Sequence, residues 1–351
     1  MKFANESSAE FDVAIVGGGP AAAVCAFELA RHGERVSLIH RGRNSISQIE
    51  LLSGRAGRLL EELLNKSLLE LMSGVEVHET VSLWGTSSPV SWNAIRNPWG
   101  PGIAVNRDIL DQTLRNIASH VGTHIFVDTV VLSIERKNNL WQLHLQHGRT
   151  VTLLQCHFLG VATGRKDVHW LQRTQKHQLS MLALTARLRT KCPEQNHTLY
   201  LESSKDGWWY SLPDIDGGSF VGYCIKAEAV KRHQISLYEL FFQGLRHTRL
   251  LADVVSEPSN RVPMSGQLAN VQTYDKISGP GWIAMGDAAF APDPLSGMGI
   301  EFAIESAVVA ARVIYRGLDS SSIANYENWV NDYSRQHIEA LSFHLGTAGI
   351  S

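Results

Sequence analysis

The sequence predicts an α/β protein into which an antiparallel sheet is inserted, and three observations support this. A strand, a glycine-rich turn, a helix and a second strand follow one another at the start of the chain. The middle third changes to short β-type segments separated by turn residues. Glycine-rich α/β character returns near residue 281. The outer thirds therefore resemble one domain, and the middle third resembles an insertion.

The first strand covers residues 11–16 and reads FDVAIV, apolar nearly throughout as in a parallel strand that is buried on both faces. An alanine-rich helix over residues 21–32 follows and ends at Gly33. The second strand reads RVSLI over residues 35–39. These elements form a βαβ unit.

The remaining elements follow from the same patterns. In the first half we expect helices over 54–71 and 106–120, irregular or short-strand structure over 84–101, and strands over 125–136, 140–146 and 151–161. In the middle third we expect strands over 181–188, 197–202, 208–212 and 219–225, with a hairpin turn at 216–218. In the last third we expect a helix over 236–254, a strand over 282–285, and helices over 299–316 and from 322.

Composition excludes several classes of protein. The 351 residues are 44% hydrophobic and 19% charged, which excludes a disordered or fibrous chain. Lys and Arg number 32 and Asp and Glu number 34, so the net charge of −2 favours neither nucleic acid nor an anionic membrane as a partner. No apolar run reaches the ~18 residues of a spanning helix. Since the first residues also lack the apolar segment of a signal peptide, we expect a cytoplasmic protein.

The cysteines indicate neither a disulfide framework nor a zinc site. Cys25, Cys156, Cys192 and Cys224 lie far apart, and no CxxC pair exists. No His-x-x-x-His pair or other cluster of metal ligands stands out either. We therefore expect no metal site.

A glycine motif of the form GxGxxA follows the first strand, from Gly17 to Ala22. Gly17 permits the tight turn, Gly19 lets a pyrophosphate approach the backbone, and Ala22 allows close helix–sheet packing. The helix that starts at Pro20 and Ala21 offers free N–H groups and a positive dipole end to the phosphates. Because the motif lies between a buried strand and a helix, it predicts a dinucleotide-phosphate site.

The adenosine end of this site departs from the usual pattern. The second strand ends in His40-Arg41, where an acidic residue usually bonds the ribose. His40 could bond a hydroxyl, and Arg41 or Arg43 could reach a phosphate or stack on adenine. Solvated loop residues are an equally good interpretation of all three.

A second motif, Gly286-Asp287, ends the strand over 282–285 and precedes a Pro/Gly-rich turn over 294–299. A carboxylate at a strand end can bind a hydroxylated chain such as ribityl. The turn presents backbone N–H groups and a helix N-terminus to an anionic ring. The candidate cofactor-binding residues of this motif are Gly286, Asp287, Pro294, Gly297, Met298 and Gly299.

These blocks resemble the FAD-dependent monooxygenase superfamily, which is built on a glutathione-reductase-like nucleotide-binding fold. Two further blocks carry the resemblance: Arg107-Asp108-x-x-Asp111 before a helix, and Ala162-Thr163-Gly164-Arg165. The resemblance implies FAD as cofactor. It implies that Arg107 contacts the phosphate or ribityl region, that Asp287 contacts the ribityl or pyrophosphate side, and that the 297–299 turn lies beside the flavin pyrimidine edge.

The resemblance also implies the domain organisation. A discontinuous FAD-binding Rossmann domain would comprise residues 1–80, 103–166 and 270–351. An antiparallel-sheet substrate domain would comprise residues 81–102 and 167–269.

The segment Gly207-Trp208-Trp209-Tyr210-Ser211-Leu212-Pro213 resembles the GWxWxIP element of flavin-dependent tryptophan halogenases. In those enzymes the element lies between flavin and substrate, which implies substrate contacts for Trp208, Trp209, Tyr210 and Pro213. The alternative interpretation is a strand whose aromatic side chains fill the core. Two features differ from the halogenases: the chain is shorter, and residues 67–136 lack the lysine that handles hypohalous acid.

A short halogenase-like flavoprotein with this segment is similar to the maturation flavoproteins of lysine-ε-oxidase and glycine oxidase. These proteins help to make a cysteine tryptophylquinone cofactor. The resemblance implies a monooxygenase-like FAD-dependent oxidoreductase that modifies a tryptophan in the precursor of a quinoprotein amino-acid oxidase. The flavin would carry the chemistry, so no catalytic acid or base is singled out. NAD(P)H or a separate reductase could donate the electrons.

Other functions are compatible with the same motifs. One is a small-molecule flavin monooxygenase, halogenase or geranylgeranyl-type reductase. Another is a flavin-containing chaperone that holds an oxidase precursor. An oxygen-dependent mass gain on a partner tryptophan would indicate the enzyme, and a stable complex without flavin turnover would indicate the chaperone.

Overall fold

The computed structural model describes residues 9–42, 48–166, 168–177, 179–191, 193 and 197–350. The strands in these ranges are β1 (Ala9–Val16), β2 (Val36–Ile39), β3 (Ile49–Leu52), β4 (Gly74–Val77), β5 (Glu79–Leu83), β6 (Val90–Asn93), β7 (Gly102–Asn106), β8 (His124–Phe126), β9 (Thr129–Lys137), β10 (Leu140–His147), β11 (Thr150–Val161), β12 (Gln175–His177), β13 (Met181–Thr190), β14 (Thr198–Ser204), β15 (Gly207–Pro213), β16 (Ser219–Lys226), β17 (Val255–Ser256), β18 (Met264–Leu268), β19 (Gln272–Tyr274), β20 (Ser278–Gly279) and β21 (Trp282–Ala284). The helices are α1 (Pro20–Arg31), α2 (Gly54–Leu64), α3 (Leu68–Leu71), α4 (Arg107–His120), α5 (Ala227–His233), α6 (Leu237–Arg246), α7 (Leu251–Val254), α8 (Gly299–Tyr315) and α9 (Ser320–Thr347).

The predicted α/β class, with a Rossmann-type sheet, is confirmed. The first sheet runs in the order β20-β21-β11-β1-β2-β8, and β1 pairs in parallel with both β11 and β2. The apolar run Val13–Val16 is buried in the middle of this sheet, as expected for a strand covered on both faces. β9 and β10 extend the sheet with antiparallel pairing.

Small residues bring helices α1 and α8 together beside this sheet. A Cβ atom on Gly286 would lie 2.9 Å from Cβ of Ala21 and 3.6 Å from Cβ of Ala303. Gly286 also has a φ of +58°, a left-handed conformation that favours glycine. The N-terminal turns of both helices therefore meet at Gly286.

The middle of the chain forms a second, mainly antiparallel sheet in the order β17-β13-β16-β15-β14-β5-β6. β15 and β16 form the predicted hairpin, with Pro213 opposite Ser219. Helix α6 covers one face, where Phe241 and Leu245 are buried in a separate apolar cluster with β15 and β16. The proposed domain boundaries stay a prediction.

Three predicted elements are divided in the structure. The helix expected over 54–71 breaks at Asn65, which adopts the left-handed conformation and ends α2. The strand expected over 125–136 breaks at Asp128, which has a φ of +50°. The helix expected over 236–254 becomes α6 and α7, because the buried carboxylate of Glu202 accepts hydrogen bonds from backbone N–H groups of residues 249–251.

Cys25, Cys156 and Cys224 are buried free thiols, and Cys192 lies outside the described residues. Within the described part of the chain, no helix combines the length and the hydropathy that crossing a membrane requires.

Candidate cofactor and substrate site

The glycine motif forms a tight turn at the end of β1. Gly17 has a φ of +145°, and a Cβ atom there would lie 2.1 Å from the carbonyl oxygen of Ala162. Gly19 is the N-cap of α1, where no described side chain caps the helix and Pro20 occupies the first turn. The first N–H groups of α1 are therefore available to an anion, as the sequence predicted.

Arg107 lies directly over this turn. A Cβ atom on Gly19 would be 3.4 Å from Nη2 of Arg107. The Arg107 Nε donates to Asp111 over 2.8 Å, and Nη1 donates to Glu50 over 3.3 Å. Burial alone would lower the pKa of Arg107, but the carboxylates of Asp111 and Glu50 outweigh this effect and raise it. A fixed positive charge therefore faces the α1 N-terminus.

His40 packs against the glycine turn at the end of β2. A Cβ atom on Gly18 would lie 2.6 Å from the Cβ of His40. The Nδ1 of His40 lies 2.8 Å from the carbonyl oxygen of Arg41. Since a carbonyl can only accept, Nδ1 carries the hydrogen and Nε2 is left as an acceptor. Burial lowers the pKa of His40, which favours this neutral form.

Arg41 and Asp128 lie at the same end. Arg41 is exposed, so its cofactor contact stays a prediction, and Arg43 lies outside the described residues. The sequence analysis missed Asp128, whose carboxylate oxygen would be only 2.0 Å from a Cβ atom on Gly42. The structure thus brings a carboxylate to the end of β2 from the β8–β9 turn, where no motif marks it.

Asp287 follows β21 in a single 3-10 turn, Gly286–Ala288. Its carboxylate lies 3.3 Å from Nε of Arg165. Burial raises the pKa of Asp287, although Arg165 and Arg107 counteract the effect. The three blocks around Arg107, Arg165 and Asp287 are far apart in sequence, and the structure brings them together at one end of the parallel sheet.

The turn over residues 294–299 leads into α8. Asp293 accepts a hydrogen bond from the backbone N–H of Leu295 through Oδ1 over 2.7 Å. Gly297 has a φ of +62°, and α8 then begins at Gly299 after Met298. Among the described residues, no side chain caps α8, so its first N–H groups are also available to a ligand.

A cavity of about 530 Å³ opens beside this turn. Its walls come from the turn, from the ends of β5 and β14, and from one face of α9. The lining residues are Ser82, Trp84, Leu201, Asp293, Leu295, Ser296, Met298, Tyr333, Gln336, His337, Ala340, Leu341 and His344. Trp84 belongs to the stretch over 84–102 and donates from Nε1 to the carbonyl oxygen of His344 over 2.8 Å. Since Gln336, Ala340 and His344 are exposed, the cavity is open to solvent.

A buried polar pair, His337 and Asp293, lies in this largely apolar lining. The Nε2 of His337 is 2.7 Å from Oδ2 of Asp293, and both residues are buried. The backbone N of Asp293 also lies 3.4 Å from the same nitrogen; the shorter contact to the carboxylate decides that Nε2 donates. The hydroxyl of Tyr333 is buried with no hydrogen-bond partner among the described residues.

The predicted substrate residues of β15 do not form one surface. Trp208 is 0% exposed in the main core, and Trp209 is 1% exposed and stacks on Tyr223 at 4.0 Å between ring centroids. Pro213 is also buried, and none of residues 208–213 is in the described lining of the cavity. Tyr210 alone is partly accessible, and burial raises its pKa well above the ordinary value.

The opposite placement of Trp208 and Trp209 follows from strand geometry, since successive side chains of β15 alternate between its two faces. Trp209 faces α6, where a Cβ atom on Gly244 would lie 2.6 Å from the indole ring. The geometry supports the core-filling interpretation for Trp209, and a substrate contact of Tyr210 stays a prediction.

Comparison with known proteins gives a consistent group of flavoproteins. LodB of Marinomonas mediterranea, classed as an FAD-dependent oxidoreductase, is 23% identical over 348 residues, covering 93% of this chain and 91% of LodB. The myxobacterial chondrochloren halogenase CndH, an FAD-dependent halogenase, superposes with a TM-score of 0.83 at 18% identity, over 95% of this chain and 82% of CndH. No protein-family model matches the chain.

A third similar protein is the peptidyl tryptophan dihydroxylase QhpG, which is essential for tryptophylquinone cofactor biogenesis. Its structure superposes with a TM-score of 0.71 at 22% identity, over 97% of this chain and 76% of QhpG. This chain is similar to FAD-dependent oxidoreductases and halogenases over nearly its whole length. The expectation of an FAD-dependent oxidoreductase is confirmed at this level.

The residues of this flavoprotein fit FAD. Gly19 leaves room above an uncapped helix N-terminus, and Arg107 supplies a positive charge there. Asp287 directly follows Gly286, where α1 and α8 meet. The uncapped start of α8 at Gly299 offers a second set of N–H groups. Together these groups suit a pyrophosphate, a polyhydroxyl chain and an electron-rich ring edge. The individual contacts to FAD stay predictions.

Proposed function

We propose that this flavoprotein oxidises a tryptophan side chain in a partner protein, the precursor of a quinoprotein amino-acid oxidase. The observation that carries the proposal is the position of the open cavity. It shares Leu295, Ser296 and Met298 with the turn that would hold the flavin ring. A side chain inserted into the cavity would therefore lie next to the reactive part of the cofactor.

The likeness to QhpG and LodB supports the protein substrate. Both similarities extend over more than nine-tenths of this chain. The open rim formed by Gln336, Ala340 and His344 would admit one side chain from a polypeptide that stays outside. Apolar lining residues such as Leu201, Met298 and Leu341 suit an aromatic ring.

When bound, FAD would supply the redox chemistry, with O2 as the oxidant and an external electron donor. Arg107 and the α1 N-terminus would hold the pyrophosphate, and Asp287 would accept a hydrogen bond from the ribityl chain. The N–H groups at the start of α8 would stabilise negative charge on the ring. The apolar side chains of the cavity would exclude water from the reacting ring.

Coexpression with a quinoprotein amino-acid oxidase precursor tests this proposal. Peptide mass spectrometry should show an oxygen-dependent mass gain on one precursor tryptophan, and the Gly19→Val variant should abolish it. A stable complex with an unmodified tryptophan would support the chaperone function instead. Turnover of free tryptophan without any partner would support a small-molecule monooxygenase.

A further inference from the structure

Six residues of α9 present one face to the cavity. Relative to the first they lie at positions i, i+3, i+4, i+7, i+8 and i+11, the pattern of a single helix face, and they are Tyr333, Gln336, His337, Ala340, Leu341 and His344. One of them, His337, brings a buried imidazole into a lining that is otherwise largely apolar. Nothing in the cofactor site uses this group.

The hydrogen-bonding state of His337 follows from its contact with Asp293. Nε2 donates to the Asp293 carboxylate over 2.7 Å. This contact selects the tautomer of the imidazole in which Nδ1 is the acceptor. No described residue donates a hydrogen bond to that nitrogen. Asp293 cannot rotate freely, because its other oxygen accepts from the backbone N–H of Leu295 over 2.7 Å.

The rest of the lining suits a flat ring. Met298, Leu295 and Leu341 supply apolar surroundings, and the ring of Tyr333 contributes to the same wall. The Tyr333 hydroxyl has no accessible surface, so it takes no part in binding a ligand in the cavity.

We propose that this cavity is an indole-binding subsite in which His337, oriented by Asp293, accepts a hydrogen bond from the indole N–H. The proposal rests on the proposed function and names the residue that selects its substrate. A tryptophan side chain carries the matching donor. A prenyl chain carries none and would leave the acceptor nitrogen of His337 without a partner.

Two small probes that differ only at the ring nitrogen test the subsite. They are 3-methylindole, which has an N–H group, and 1,3-dimethylindole, which has none. Calorimetric titration of the FAD-loaded protein should show 3-methylindole binding about 2- to 10-fold more tightly, the range of one hydrogen bond. Equal affinities, or no detectable binding of either probe, would overturn the proposal.

The Asp293→Asn variant tests the role of the histidine. The amide oxygen would keep the hydrogen bond from Leu295, which leaves the amide N–H group facing His337. Nε2 would then accept, the hydrogen would move to Nδ1, and the preference for 3-methylindole should fall to about one. Asp206→Asn is the matched control. Asp206 lies 3.1 Å from Nε2 of His233, and neither residue is in the described lining of the cavity. An unchanged preference in Asp293→Asn would contradict the proposal.

A second variant keeps the test decisive if Asp293→Asn does not fold. His337→Phe keeps a ring in the cavity wall and removes the acceptor nitrogen, so the preference for 3-methylindole over 1,3-dimethylindole should again fall to about one. A preference that persists in His337→Phe would contradict the assigned role of His337. The visible flavin spectrum and the partner's tryptophan mass report separately on the proposed function. An intact probe preference with an unmodified partner would therefore refute that function and keep the subsite.

Discussion

The cofactor end of the site and the adjoining cavity are built from different material. The cofactor end is mainly backbone, since Gly17, Gly19 and Gly299 leave peptide groups of α1 and α8 accessible. The cavity is lined by side chains, six of them from one face of α9, with His337 and Asp293 as its buried polar pair. A backbone site requires particular glycines, whereas a side-chain site requires only that residues share a helix face. The first region is therefore sensitive to added bulk and the second to exchanged polar groups.

The largest effect that would separate the two regions comes from Gly19→Val. Its branched side chain would fill the space between the α1 N-terminus and Nη2 of Arg107, which lies 3.4 Å from a Cβ atom at this position. We expect FAD binding, measured by absorbance and titration, to be abolished. Gly346→Val is the control, because a Cβ atom there meets nothing within 4 Å. Unchanged FAD affinity in Gly19→Val would show that the pyrophosphate binds elsewhere.

The next effect concerns β15. Trp209→Ala removes a fully buried ring and should lower the free energy of unfolding by about 3–5 kcal/mol. Trp92→Ala, at an exposed tryptophan on β6, should change it by less than about 0.5 kcal/mol. Denaturant unfolding measures both. A stable Trp209→Ala protein that fails only to modify its partner would restore Trp209 as a substrate contact.

Asp287→Ala should have a smaller effect, which is a loss of FAD affinity only. If Asp287 accepts a hydrogen bond from the ribityl chain, FAD binding should weaken by roughly 1.5–3 kcal/mol. Titration of the FAD-free protein measures this, and 3-methylindole affinity serves as the internal control. No loss of FAD affinity would mean that Asp287 only pairs with Arg165.

The smallest effect is a pH dependence at the adenosine end. Burial lowers the pKa of His40 in the folded protein. As the pH falls below about 6.5, the unfolded state binds this proton first, so the contribution of His40 to stability is present above that pH and is lost on acidification. His40→Asn should flatten the decrease in unfolding free energy between about pH 8 and pH 5. An unchanged decrease would contradict the assigned state of His40.

The contrast between the backbone cofactor site and the side-chain cavity explains which features the sequence could predict. The turns at Gly17 and Gly286 were recognisable because backbone geometry restricts the residue types that fit there. The role of β15 was harder to predict, since alternation sends Trp208 and Trp209 to opposite faces and only the packing shows which face is covered. Asp128 and His337 carry no local motif. The α9 residues repeat every three or four positions, but that pattern is shared by any amphipathic helix.

Reconstitution with labelled oxygen tests the proposed tryptophan oxidation most directly. The purified FAD-loaded protein, photoreduced and then mixed with ¹⁸O2 and an oxidase precursor, should transfer ¹⁸O to one tryptophan of the precursor. Peptide mass spectrometry would locate the label. We expect label on that tryptophan in the wild-type reaction and none with Gly19→Val. Unlabelled precursor from the wild-type reaction, in spite of reoxidised flavin, would contradict the proposed oxidation.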